Sequence, residues 1–213
     1  MALLRAAGGG ASLALFGCAV LAELVLGGQQ LTWPGAIEPV PATVVAALLS
    51  SAGMLVASWP ALHWSAWRPV VPVWRIDVAV LLGSAGLHAV SGLLLQLGSG
   101  RVVLWGWLAV GGLALLGLAA TGRALGGLAV AGTGVMVLTL LPVVPGQGVV
   151  QLLRVQAWFA PLAGPPAHWF CAGVLALGLA CALLRVLGRG RHGARRGGKT
   201  AGSAAPAPLG STP

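Results

Sequence analysis

The chain has 213 residues, 58% of them hydrophobic and only 7% charged, with a mean hydropathy of +0.95. A soluble globular domain carries about 25% charged residues, so this chain lacks the polar side chains to cover a water-facing surface and is expected to be an integral membrane protein. Its net charge of +9 lies at the edges of apolar runs and in a C-terminal tail, where it sets topology and meets anionic lipid rather than nucleic acid.

Arg5 precedes the first apolar run, residues 11–27. That run exceeds the h-region of a signal peptide, about 7–15 residues, so a first spanning helix with a cytoplasmic N-terminus is expected. Glu23 falls near its outer end. The plain expectation is that Glu23 reaches the outer interface; the sharper one is a polar site facing a substrate or partner. In residues 28–41, Trp33, Pro34, Pro39 and Pro41 mark turns and an interfacial anchor. The second span is expected at 42–58, with Ser50 and Ser51 at mid-depth, bonded to their own helix or to a neighbour.

Next comes the segment Trp59 to Asp77, WPALHWSAWRPVVPVWRID, with four tryptophans, two arginines and three prolines. Trp and Arg each combine an apolar body with a polar tip, which suits the lipid–water boundary. A short structured cytoplasmic loop is expected here. The third span, 76–98, contains His88, the one ionisable side chain near the middle of any span. Either it is a proton or ligand site, or it is a neutral imidazole bonded to a neighbouring helix. With no carboxylate at comparable depth, the second reading is preferred.

Short turns at 99–101 and 121–123 imply antiparallel neighbours for spans at 102–120 and 124–144. Gly127 and Ala131 give the fifth span a small-residue contact face. Residues 146–166 are too polar to span, yet Gln147, Gln151 and Arg154 share one helical face, so a short amphipathic helix on or dipping into the outer leaflet is expected. The sixth span, 167–186, is followed by a basic tail, 187–213, that ends in Gly, Ser, Ala and Pro and is expected to be disordered. With Arg5, Arg68, Arg75, Arg123 and the tail on one side, and only Arg101 and Arg154 on the other, the positive-inside rule places both termini in the cytoplasm. The expectation is an all-α polytopic protein with about six transmembrane helices.

The three cysteines, Cys18, Cys171 and Cys181, lie inside apolar runs as packing residues. No His, Cys or acid spacing suits a metal, and no Walker lysine loop, GxSxG or CxxC is present. No cofactor and no covalent chemistry are expected, so the chain is not expected to be an enzyme. The absence of tyrosine beside abundant Gly, Ala, Leu, Val and Arg points to a GC-rich bacterial genome and a bacterial plasma membrane.

Leu62 to Arg75 (LHWSAWRPVVPVWR) lies between spans two and three, and Gln147 to Pro161 lies between spans five and six. In that plan the chain resembles the small membrane subunits of ABC-2-type exporters, especially the divergent stand-alone permeases of actinobacteria. The likeness is one of architecture over most of the chain. It implies a dimer that moves a hydrophobic or amphipathic cargo with a separate cytosolic ATPase subunit. It also implies a coupling loop in which Trp64, Trp67, Arg68, Trp74 and Arg75 contact that subunit. Glu23, Ser50, Ser51 and His88 are the candidate intramembrane polar set. Other uses of the same residues stay open: an anti-sigma-like regulator that tethers a cytosolic partner through 59–77, a structural membrane subunit, or, more weakly, a lipid-modifying enzyme.

Overall fold

The computed structural model describes residues 9–32, 39–58, 73–140, 153–159 and 164–201. Its elements in chain order are α1 (Gly9–Leu26), β1 (Gln30–Leu31), β2 (Val40–Pro41), α2 (Thr43–Ser58), α3 (Val73–Ser99), α4 (Leu104–Thr121), α5 (Ala124–Thr139), α6 (Val155–Trp158) and α7 (Gly164–Ala201). Among the described residues, four helices are long and apolar enough to cross a membrane: α1, α3, α4 and the part of α7 from Pro166 to Gly188. The apolar helices α2 and α5 have 16 residues each, about 24 Å at 1.5 Å per residue.

Bulky leucines point outward on the long helices, among them Leu24 on α1, Leu94 and Leu97 on α3, and Leu184 on α7. In water such a surface would drive aggregation; against lipid it is the favourable one. The molecule is an all-α membrane protein.

α4 forms the axis of the bundle. Some 61% of its span is buried against 17% for α7, and it packs on α2, α3, α5 and α7, most extensively on α7. Glycine makes this crowding possible. The Phe159 ring occupies the space beside Gly106, the His88 ring that beside Gly111, and the α7 backbone at Val174 and Leu175 that beside Gly112. Small residues let helices approach where no hydrophobic force drives them together in lipid.

The two short turns read from the sequence are built around glycine. Gly100 (φ +66) ends α3 and donates to the Gln96 carbonyl at 3.0 Å; Gly122 (φ +71) ends α4 and donates to that of Leu118 at 2.8 Å. Only glycine adopts this left-handed conformation without cost. Gln96 also reaches across the first turn, where its Oε1 accepts the Leu104 N–H at 3.0 Å and the Val103 N–H at 3.3 Å. Two orphan donors at the start of α4 are thereby satisfied by α3.

The expectations for 28–41 omitted a short antiparallel ladder, in which Gln30 pairs with Pro41 and Leu31 with Val40. Trp33 and Pro34 lie outside the described residues. α5 is described to Thr139, where the Leu140 N–H turns back to the Val137 carbonyl at 3.1 Å, ahead of Pro142, which disfavours helix before it; residues 141–144 of the expected span lie outside the described residues. Of the segment expected to form an amphipathic helix on or dipping into the outer leaflet, the described residues 153–159 hold one helical turn, α6. Trp158 and Phe159 are buried in the bundle: the Phe159 ring fills the space beside Gly106 and the Trp158 ring lies 6.4 Å from that of Phe170. Gln147 and Gln151 lie outside the described residues. The tail expected to be disordered from 187 continues α7 to Ala201; extending a formed helix needs no new nucleus, and no proline intervenes before Pro206.

Candidate functional site

The helices bring the expected polar residues to two separate places. The first is a cross-link of α2, α3 and α4. His88 is fully buried. Its Nε2 lies 2.9 Å from the Trp107 carbonyl oxygen and its Nδ1 lies 2.7 Å from the Ser50 hydroxyl. A carbonyl only accepts, so Nε2 carries the proton, and the neutral ring then accepts at Nδ1 from Ser50. Both ring nitrogens are used, which leaves His88 no position for a ligand. The ring also lies 5.8 Å from that of Trp107, centroid to centroid, and Trp107 in turn packs against Gly92.

Ser51 is not part of this link; it donates to the Ala47 carbonyl of its own helix at 2.8 Å. A second α2–α3 link, not foreseen from sequence, joins Ser58 and Ser84 at 3.4 Å. Ser58 follows Ser50 by eight residues and Ser84 precedes His88 by four, so the helical period placed both on the faces already marked.

The second place is the end of the bundle that carries the α3–α4 turn. Glu23 does not reach an open interface: it is 1% exposed, enclosed between α1 and α2. Its Oε1 lies 3.3 Å from the Thr43 hydroxyl and 3.8 Å from Nη1 of Arg101. The same Thr43 hydroxyl lies 3.3 Å from the Gly27 carbonyl, so one proton serves two acceptors. Oε2 is buried and has no hydrogen-bond partner among the described residues. Thr43 and Arg101 were missed in the sequence, where nothing ties residues so far apart to Glu23.

Nearby, α6 wedges between α4, α5 and α7. Trp105 stacks on His168 at 4.5 Å with 13° between the rings. At the opposite end, Trp74 is 39% exposed on the first turn of α3, with the Arg75 guanidinium 5.4 Å from its ring centroid. A cation over an indole face is held by the ring quadrupole. Trp64, Trp67 and Arg68 lie outside the described residues. Arg185 on α7 donates to the carbonyls of Ala119 and Ala120, the latter at 2.9 Å, and so caps the C-terminus of α4 with a cation.

Among the described residues no group of three or more His, Cys, Asp or Glu side chains could hold a metal ion. No protein-family model matches the chain, and comparisons with curated proteins and with solved structures give no match either.

Proposed function

We propose that this chain is the membrane-spanning subunit of a larger assembly in a bacterial plasma membrane, and within that class the permease of an ABC-type exporter. In this reading α1 to α5 and α7 are six spans, both termini are cytoplasmic, and the working unit is a dimer with separate ATPase subunits. The observation that carries it is the exposed Trp74–Arg75 pair at the start of α3, within the tryptophan-rich segment. An exposed aromatic beside an arginine is the composition of a docking hot spot. Helix alternation supports the orientation: Arg75, Arg123 and Arg185 belong to one end, and Arg101 and Arg154 to the other. The basic end is then cytoplasmic, where an ATPase would be met. The inward-turned α6 supports the outer segment expected of such permeases.

The test replaces Trp74 by a photo-crosslinking amino acid in the native host and identifies the adducts by mass spectrometry. A cytosolic ATPase with Walker motifs is expected. A sigma factor or other regulator in its place would overturn the exporter reading and make the segment a tether; adducts to lipid alone would reduce Trp74 and Arg75 to interfacial anchors.

A further inference from the structure

Glu23 is used by nothing in the reading above. Its carboxylate is enclosed by protein, yet its hydrogen-bond capacity is poorly met. Oε1 shares the single Thr43 proton with the Gly27 carbonyl. Arg101 stands 3.8 Å away, longer than the about 2.8 Å of a charge-assisted hydrogen bond. Oε2 is buried and without a hydrogen-bond partner among the described residues. A charged oxygen left bare in a low-dielectric interior is the arrangement most costly to keep. No ligand with heavy atoms can reach Oε2 unless the helices separate. The one species that fits the space as it stands is a proton.

The charges that face Glu23 are few. On α1 the other titratable side chain described is Cys18, more than a turn away. Among the described residues α2 carries none. α3 carries Arg75 and Asp77, both at its far end, and His88, already committed to Ser50 and Trp107. The α3–α4 turn carries Arg101, 47% exposed, which connects the buried carboxylate to water. Glu38 lies outside the described residues.

We propose that Glu23 is a proton-binding site gated by Arg101, at which a proton and the guanidinium compete for the same carboxylate. A hydronium ion in the water at Arg101 breaks one O–H bond and leaves as water, while the carboxyl group gains one O–H bond and holds the proton at the oxygen turned away from Arg101. The site's charge rises by one unit, the ion pair to Arg101 dissolves, and the turn from Ser99 to Val103 loses its tie to α1. The site stands independently of the exporter reading.

The test uses the full chain in phosphatidylcholine–phosphatidylglycerol vesicles, followed by infrared spectroscopy from about pH 4 to about pH 9, a range wide enough for perturbed carboxyls. With three acidic side chains in the whole chain, the carbonyl stretch of a protonated carboxyl can be assigned. It is expected to grow as pH falls, to be lost in Glu23→Gln and to move to higher frequency in Thr43→Val, which removes the hydroxyl donor. Thr43→Val supplies the assignment if Glu23→Gln does not fold. Hydrogen exchange of peptides covering residues 97–104, corrected for intrinsic rates, is expected to be faster in the protonated state and independent of protonation in Glu23→Gln. A band that survives Glu23→Gln, is unmoved in Thr43→Val, or never appears overturns the proton site. A band without the exchange difference overturns the gating by Arg101.

Discussion

Gly111→Ala tests the His88 cross-link without replacing any of its polar groups. A Cβ on Gly111 would lie 2.7 Å from Cδ2 of His88, closer than side chains come, and closer still to Nε2. The ring would have to swing out and give up its bond to the Trp107 carbonyl. Overpacking costs about 1–3 kcal/mol, and a stranded buried donor costs about 1–3 kcal/mol more. Alanine returns about 1 kcal/mol of helix propensity. The net expectation is a loss of about 1–5 kcal/mol. Gly132→Ala is the matched control: a Cβ there meets nothing within 4 Å, so the same change in α5 should be neutral or stabilising by up to about 1 kcal/mol. The assay is unfolding in mixed detergent–dodecyl sulfate micelles followed by tryptophan fluorescence. In a His88→Ala background the cost of Gly111→Ala should largely vanish, since neighbours in contact do not add. A Gly111→Ala midpoint equal to or above that of Gly132→Ala would refute the reasoning.

Phe159→Ala removes the ring that fills the space beside Gly106 and should cost about 3–5 kcal/mol in the same assay; protease cleavage within 153–159 should appear as α6 releases. Arg185→Met should lose about 0.3–1 kcal/mol through the uncapped end of α4, with Arg185→Lys intermediate; equal midpoints for all three proteins would show that the cap contributes nothing.

The helices were legible because runs of apolar residues punctuated by charge need no tertiary information. The glycine turns at 100 and 122 were legible for the same reason, and so was the Gly127–Ala131 face, which meets α4 around Ala114. His88 could be read as bonded to a neighbour because an unsatisfied imidazole is too costly in lipid; that the neighbours are Ser50 and the Trp107 carbonyl depends on helix packing, which no local pattern encodes. The burial of Glu23 was not legible for a related reason. Its distance along the helix put it at an edge, and the Thr43 hydroxyl and the Arg101 guanidinium that meet it there come from distant parts of the chain. Around α6 the sequence offered a helical period but not the partner of Phe159, because the gap beside Gly106 that its ring fills lies on a helix about fifty residues earlier.

The glycines of α4 also bear on how the protein is made. Four of them face four different neighbours: Gly106 meets Phe159, Gly111 meets His88, Gly112 meets the α7 backbone and Gly117 meets Val130 on α5. A helix so short of side chains on several sides offers lipid little to hold while it waits. Synthesis runs from the N-terminus, and α7, which covers the largest part of α4, emerges last. Val130 and Phe159 come earlier and cover Gly117 and Gly106, so it is the Gly112 face of the inserted α3–α4 hairpin that waits with bare backbone toward the bilayer. A chain cut short before Gly164 keeps that face uncovered.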